Sequence, residues 1–183
     1  MITFEDLKKI VPGIKPAAEV FVKYLNEAMD KYEINTPARQ AAFISQCAHE
    51  TMAFSRTQEI ASGEAYEGRK DLGNIFKGEG KRYKGRGLLQ ITGRANYSEV
   101  GKALGLDLIK MPELLETPQY ACLSAGYMWK KIKGNGLADL PHDWRSKTLN
   151  YSPFQYITYR INGGQIGYPE RLEYFERAKE VLT

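Results

Sequence analysis

Residues 83–97 read YKGRGLLQITGRANY and lie near the middle of a chain of 183 residues. They close a glycine-rich segment, residues 60–95, in which apolar residues follow neither a helical nor a strand period. Loops of this length are uncommon in compact domains unless they have a function or some local structure. We therefore predict an insertion with local structure such as a short hairpin, and a short strand at Leu88–Thr92.

Helical patterns lie on both sides of this insertion. The clearest precedes it, where Thr36 can cap a helix that starts at Pro37, whose missing N–H costs nothing at that position. Ile44 and Cys47 continue its apolar stripe. Further helices are predicted over residues 16–32, 97–104, 117–131, 152–161 and 169–182, with a loop over 134–151 and a turn at 161–164. The pattern predicts a mainly α protein.

Length and composition are those of an ordinary globular protein, with 43% hydrophobic and 26% charged residues. No apolar run approaches the roughly 18 residues that a membrane helix needs. Glu5 and Asp6 stand where a signal peptide has basic residues, so we expect the chain to remain in the cytoplasm until another factor releases it. Cys47 and Cys122 lie in apolar patterns and are predicted to be buried, reduced thiols.

Positive charge is concentrated in the glycine-rich segment of a chain whose formal net charge is +4. The residues concerned are Lys77, Lys81, Arg82, Lys84, Arg86 and Arg94. Such a patch could face nucleic acid, an anionic polymer or solvent, and charge alone does not choose between them.

A second stretch, AHETMAFSRTQE at residues 48–59, contains two glutamates that could act as an acid and a base. On one continuous helix Glu50 and Glu59 would lie about 13.5 Å apart, whereas a water-filled acid–base pair needs roughly 6.5–9.5 Å. We therefore expect the helix to end between them. Glu50 would then lie at a rigid helix end among apolar neighbours, and Glu59 on a wetter segment. Glu64 and Glu67 compete with Glu59 for the role of base.

Three blocks of sequence together resemble glycoside hydrolase family 19, which contains plant and bacterial chitinases and bacteriophage endolysins. They are AHET at 48–51, YKGRGLLQITGRANY at 83–97 and INGGQIGYPERLEYF at 161–175. The blocks follow the order of the family with similar spacing, and the phrase TPARQAAFISQCAHE is most similar to phage members. The resemblance implies a lysozyme-like α+β fold, a helical bundle with a small glycine-rich loop or β-hairpin insertion.

The resemblance also implies roles for individual residues. Glu50 matches the general acid, Glu59 the general base, and Thr92 the residue that helps to hold the attacking water. Residues that match substrate-binding or cleft-lining positions are His49, Tyr83, Gln90, Asn96, Asn162 and Arg171. The implied reaction is inverting hydrolysis of a β-1,4 bond between aminosugars, without metal or cofactor.

Three other classes of protein are less consistent with the sequence. A zinc amidase needs a cluster of His or Cys ligands, and His49 and His142 are the only histidines. A nucleic-acid-binding module could stack bases on Tyr66, Tyr83 and Tyr97, but it would leave the glutamates unexplained. A catalytically inactive wall-binding module remains an alternative, because a fold does not fix an activity.

The short chain and the phage-like phrases favour peptidoglycan over chitin. The sequence does not decide between a muramidase and a glucosaminidase, and we expect a muramidase. We expect a phage-type endolysin with one catalytic domain over residues 1–183 and no separate cell-wall-binding domain. It would be a monomer that accumulates in the host cytoplasm and reaches the periplasmic peptidoglycan after release by a holin. We expect no nucleic-acid partner and no stable membrane insertion. A chitinase is the alternative enzyme.

Overall fold

The structure is a computed structural model that describes residues 1–183, and it is built almost entirely from helices. The α-helices are α1 (Phe4–Ile10), α2 (Val20–Lys31), α3 (Pro37–Glu50), α4 (Glu79–Arg82), α5 (Arg94–Leu104), α6 (Pro118–Lys131), α7 (Gly134–Ala138), α8 (Pro153–Asn162) and α9 (Tyr168–Val181). Short 3-10 helices cover Pro16–Glu19, Glu64–Tyr66, Lys70–Leu72 and Pro112–Glu116. The prediction of a mainly α fold is confirmed.

Helix α3 begins and ends as its sequence predicts. The Thr36 hydroxyl accepts the backbone N–H of Arg39 at 3.3 Å, and Pro37 is the first helical residue. Glu50 is the last helical residue. Met52, Ala53 and Phe54 then adopt left-handed backbone angles, with φ of 51°, 59° and 58°. A right-handed helix requires negative φ angles, so three left-handed residues in succession cannot continue α3. The helix therefore ends before them.

The core forms where α3 packs against α9 and α2 packs against α6. Trp129 of α6 is fully buried and meets Phe43 of α3 edge to face, with ring centroids 5.5 Å apart. Cys47 and Cys122 lie in the same core as free, buried thiols, which confirms that prediction. Burial raises the pKa of both thiols well above the ordinary value.

The glycine-rich insertion has a small core of its own against α5, formed by Tyr83, Ile91, Tyr97, Val100, Leu108 and Leu115. The prediction of a strand at Leu88–Thr92 is wrong. Leu88–Gln90 form a tight turn instead, closed by two backbone hydrogen bonds between Arg86 and Ile91 at 3.1 and 2.7 Å. The pairing stops there because the chain turns into α5 three residues later.

The second half of the chain contains one short α-helix that the sequence did not predict. The predicted loop over 134–151 contains α7, which starts where Gly134 packs closely against the Trp129 ring. None of the helices is long and apolar enough to cross a membrane.

Candidate active site

Glu50 is held at the end of α3 by a buried arginine. Arg171 of α9, whose side chain is 1% exposed, donates from Nη2 to Glu50 Oε1 at 2.5 Å. The same guanidinium donates to Gln46 Oε1 at 2.5 Å and to the carbonyl of Ile166 at 3.1 Å. Gln46 in turn donates to the Thr158 hydroxyl at 2.9 Å. A buried polar chain therefore joins α8, α3 and α9 behind Glu50.

This environment differs from the apolar one that the sequence led us to expect for Glu50. A buried guanidinium needs a charged or polar partner for every donor, and Glu50 is the only carboxylate in this chain of contacts. Arg171 lies behind Glu50 and is almost fully buried. It therefore holds the carboxylate in position, beside the proposed acid as the resemblance implies, and its burial leaves no surface to touch a sugar directly.

His49 and Asn162 shape the turn between α8 and α9. The His49 ring shares a 2.5 Å hydrogen bond between Nδ1 and Glu170 Oε2, and any side chain at Gly167 would collide with that ring. Asn162 accepts the backbone N–H of Gly164 at 2.8 Å and donates to the carbonyl of Ile166 at 3.1 Å. Both residues thus hold the segment from which Arg171 reaches Glu50.

Glu59 is held by two donors of the insertion. The backbone N–H of Gly85 donates to Oε1 at 2.5 Å, and the Tyr66 hydroxyl donates to Oε2 at 3.0 Å. Gly85 has no room for a side chain, because an added Cβ would meet Gln90 Oε1 at 2.7 Å and the Glu59 carboxyl carbon at 3.3 Å. Burial, and then the hydrogen bond to Glu59, raise the pKa of Tyr66, so its hydroxyl stays a donor at neutral pH.

The two competing carboxylates have structural partners of their own. Glu64 is exposed and paired with Lys81 at 2.8 Å, and this ammonium lowers the pKa of Glu64. Glu67 accepts the backbone N–H groups of Gly78 and Gly80 at 2.6 and 2.9 Å, which lower its pKa. Both carboxylates tie parts of the insertion together, so the geometry favours Glu59 as the base.

Thr92, Gln90 and Asn96 lie where the tight turn leads into α5. Asn96 donates to the carbonyl of Thr92 at 2.8 Å, and the Thr92 hydroxyl donates to the carbonyl of Gln90 at 3.1 Å. Gln90 lies against Gly85 and so beside Glu59. The Gln90 amide donates to the carbonyl of Gly87 at 3.1 Å, within the tight turn. The predicted roles of these three residues at the substrate stay predictions.

Tyr83 is part of the small core rather than of an open surface. Its side chain is 2% exposed, its ring lies 5.3 Å from that of Tyr97, and its hydroxyl donates to the carbonyl of Ile109 at 3.1 Å. This burial leaves no ring face for a sugar. Tyr83 was expected to contact substrate, but in the structure it packs in the small core of the insertion instead.

The basic patch that the sequence suggested is largely used inside the insertion. Arg86 is buried and donates to Glu116 at 2.7 Å and to the Tyr97 hydroxyl at 3.0 Å. Arg94 pairs with Glu79 at 2.9 Å, and Arg82 donates to backbone carbonyls of residues 109 and 110. Arg86 and Arg94 are thus neutralised within the insertion, whereas Arg82 keeps its full charge because it meets only backbone carbonyls.

Sequence reasoning missed two residues of the site as partners of the glutamates. Tyr66 was considered only as a stacking group, and Gln46 was not singled out. Only Gln46 could have been found from the sequence, because it is a polar residue one turn before Glu50 on the buried face of a predicted helix. No local pattern links Tyr66 to Glu59, because their contact depends on how the insertion folds back.

A helical fold that holds two carboxylates in separate polar environments is typical of acid–base glycosidases. Residues 17–138 match the family described as chitinase class I. A Haemophilus influenzae protein named glycosyl hydrolase family 19 domain-containing protein is 26% identical, over 96% of this chain and 94% of its own length. An endochitinase of Arabidopsis thaliana is 33% identical over 81% of this chain, which spans 45% of that enzyme.

The crystal structure of chitinase C from Streptomyces griseus has the same fold, with a TM-score of 0.70 over 97% of this chain and 90% of the other, at 21% identity. The chain belongs to glycoside hydrolase family 19. The predicted family, the lysozyme-like helical fold and the class of enzyme, a chitinase-like glycoside hydrolase, are thereby confirmed.

Proposed function

We propose that the chain cleaves β-1,4 bonds between aminosugars by an inverting mechanism, with Glu50 as acid and Glu59 as base. The observation that supports this most is the separate anchoring of the two carboxylates, one by a guanidinium and one by an amide and a phenol. Each is fixed in place before substrate binds, so little reorganisation is needed in the transition state.

In this mechanism the two oxygens of Glu50 have different tasks. Oε1 is bound by Arg171, and Oε2 has no hydrogen-bond partner and can carry the proton that passes to the leaving glycosidic oxygen. Glu59 accepts a proton from the attacking water, which the Thr92 hydroxyl helps to orient. Each carboxylate oxygen of Glu59 has a second lone pair, so its two bound donors leave room for water.

We propose peptidoglycan as the substrate and a muramidase, as in phage endolysins, as the activity. The enzyme would act as a monomer that accumulates in the cytoplasm of an infected Gram-negative bacterium and reaches the periplasm through a holin. The phage-like phrases in the sequence support this role. Chitin is the second candidate substrate, and the names of the plant relatives favour it.

Product analysis tests both parts of the proposal. Purified peptidoglycan and a chitin oligomer are digested in parallel, the new reducing ends are marked with borohydride, and the products are identified by mass spectrometry. Reduced muramic ends are the expected result. Faster cleavage of chitin would replace peptidoglycan as the substrate, and no product from either polymer would refute the glycosidase.

Variants test the two glutamates. Glu50→Gln and Glu59→Gln should remain folded and lose nearly all turnover, although Glu50→Gln leaves the buried Arg171 without its carboxylate and should lower Tm. Glu64→Gln, a matched control in the insertion, should retain turnover. Loss of turnover in Glu64→Gln with retention in Glu59→Gln would move the base to Glu64. The holin step is tested by expression in a bacterium, where cells should lyse only when a membrane-permeabilising protein is produced as well.

A further inference from the structure

Three partly exposed aromatic side chains lie together where the loop over residues 140–152 meets α8. Trp144 lies 5.9 Å from Tyr156, and Tyr156 is stacked on Tyr159 with ring centroids 6.0 Å apart. We call Trp144, Tyr156 and Tyr159 the aromatic platform. With Ser146, Lys147, Thr148 and Leu149 they line a cavity of about 500 Å³, within the range of roughly 300–1,000 Å³ typical of ligand sites.

The platform is held in place although its rings are partly open to solvent. Ser146 fixes the loop through its backbone N–H, which donates to the carbonyl of Tyr151 at 2.9 Å, and its hydroxyl, which accepts the N–H of Tyr151 at 3.0 Å. Tyr156 and Tyr159 belong to α8. Rings that are ordered before a ligand arrives lose little conformational freedom on binding.

Positive charge surrounds the platform and is not neutralised. Lys147 lines the cavity, and the guanidinium of Arg160 lies 6.0 Å from the centre of the Tyr156 ring. Arg145 donates only to backbone carbonyls. None of these three cations is in an ion pair, and Asp143 is the only acidic residue between positions 140 and 160. The platform therefore combines aromatic faces with cations that are in no ion pair.

Helix α8 connects the platform with the candidate active site. Thr158, next to Tyr159, is buried on another face of the helix and accepts the hydrogen bond of Gln46. Gln46 also contacts Arg171, which holds Glu50. The platform and the buried polar chain that holds Glu50 thus lie on different faces of one helix, whose diameter is about 10–12 Å.

We propose that the aromatic platform is a second glycan-binding site, specific for aminosugars that bear a carboxylate. The apolar faces of sugar rings would lie on the aromatic rings, and the carboxylate would lie between Lys147 and Arg160. Of the two candidate substrates only peptidoglycan has such a carboxylate, on the lactyl group of its muramic acid. The inference rests on the proposed function and narrows it, because neutral chitin could use the rings but not the cations.

Intrinsic fluorescence provides a direct test, because the chain has only two tryptophans. Trp129 is fully buried in the core and serves as a constant background, so a change on glycan binding reports Trp144. Glu50→Gln protein, which should not cleave the ligand, is titrated with peptide-free glycan strands of peptidoglycan and with chitotetraose. We expect saturation by both, with about tenfold tighter binding of the carboxylated strands at low salt and a smaller ratio at high salt.

Variants separate the contributions of the rings and the cations. Tyr156→Ala should weaken binding of both glycans about tenfold, and Tyr156→Phe should not. Lys147→Ala combined with Arg160→Ala should make the two affinities equal. Lys102→Ala combined with Lys130→Ala removes the same charge from exposed positions on α5 and α6 and should change neither affinity.

Equal affinities of Glu50→Gln protein for the two glycans would overturn the inference, and so would the absence of any change in Trp144 fluorescence. A fluorescence change that sedimentation equilibrium traces to self-association of the protein alone would overturn it as well. The proposed function and the platform can be refuted separately. If the wild-type enzyme cleaves peptidoglycan but glycans do not change the fluorescence of Trp144, only the platform is refuted. Binding of carboxylated strands to the platform without release of new reducing ends by the wild-type enzyme would refute only the hydrolysis.

Discussion

Replacement of Arg171 by Met tests whether this arginine holds Glu50. The Arg171 side chain is 1% exposed and that of Glu50 17%, so the substitution leaves a nearly buried carboxylate without its partner. Breaking a buried ion pair in this way costs about 3–5 kcal/mol. In a chain of 183 residues, each kcal/mol shifts Tm by about 2–4 °C, so we expect a fall of about 10 °C.

The measurement is thermal unfolding at neutral pH, followed by circular dichroism. Arg177→Met is the matched control on the same helix, since Arg177 pairs with Glu173 at the surface, where the two side chains are 37% and 58% exposed. Such a pair contributes about 0–1 kcal/mol.

A second substitution distinguishes the charge from simple packing. Adding Glu50→Gln to Arg171→Met removes the unpaired carboxylate and should recover part of the lost stability. Equal losses for Arg171→Met and Arg177→Met would refute the reasoning, and so would a double variant no more stable than Arg171→Met alone.

Three further predictions follow from the remaining contacts. Cys47 and Cys122, whose pKa values are raised by burial, should not react with a thiol reagent at about pH 8 until the protein is unfolded, and rapid labelling of the native protein would contradict their burial. Because backbone amides lower the pKa of Glu67 below its ordinary value of 4.5, its contribution to stability is present above that value and is lost as pH falls through the folded pKa. The difference in Tm between wild type and Glu67→Gln should therefore shrink from about pH 7 to about pH 3, and a constant difference would exclude the linkage. Gly85→Ala should crowd the proposed base and lower kcat at least about tenfold, whereas Gly136→Ala, where a Cβ meets nothing within 4 Å, should not, and equal rates for the two would reject the crowding.

The local elements were largely predictable because they depend on neighbours in the sequence. Thr36 and Pro37 start α3 through a cap and a fixed φ, and the apolar period places Cys47 in the core. The end of α3 at Glu50 was also expected, since two carboxylates that act together cannot lie on one helix nine residues apart. The strand at Leu88–Thr92 failed because β-branched and apolar residues indicate a strand only where a partner strand is available.

The sequence by itself determined the main helices and the family and singled out Glu50 and Glu59 as a candidate acid and base, because caps, periodicity and motifs depend on local residues. Only the tertiary structure decided what holds those glutamates. Arg171 reaches Glu50 from α9, and Gly85 and Tyr66 reach Glu59 from within the insertion. It also decided that Arg86 and Arg94 of the insertion are neutralised by carboxylates, while Lys147 and Arg160 beside the aromatic platform are in no ion pair. Contacts between distant residues depend on packing and burial, and no local pattern contains that information.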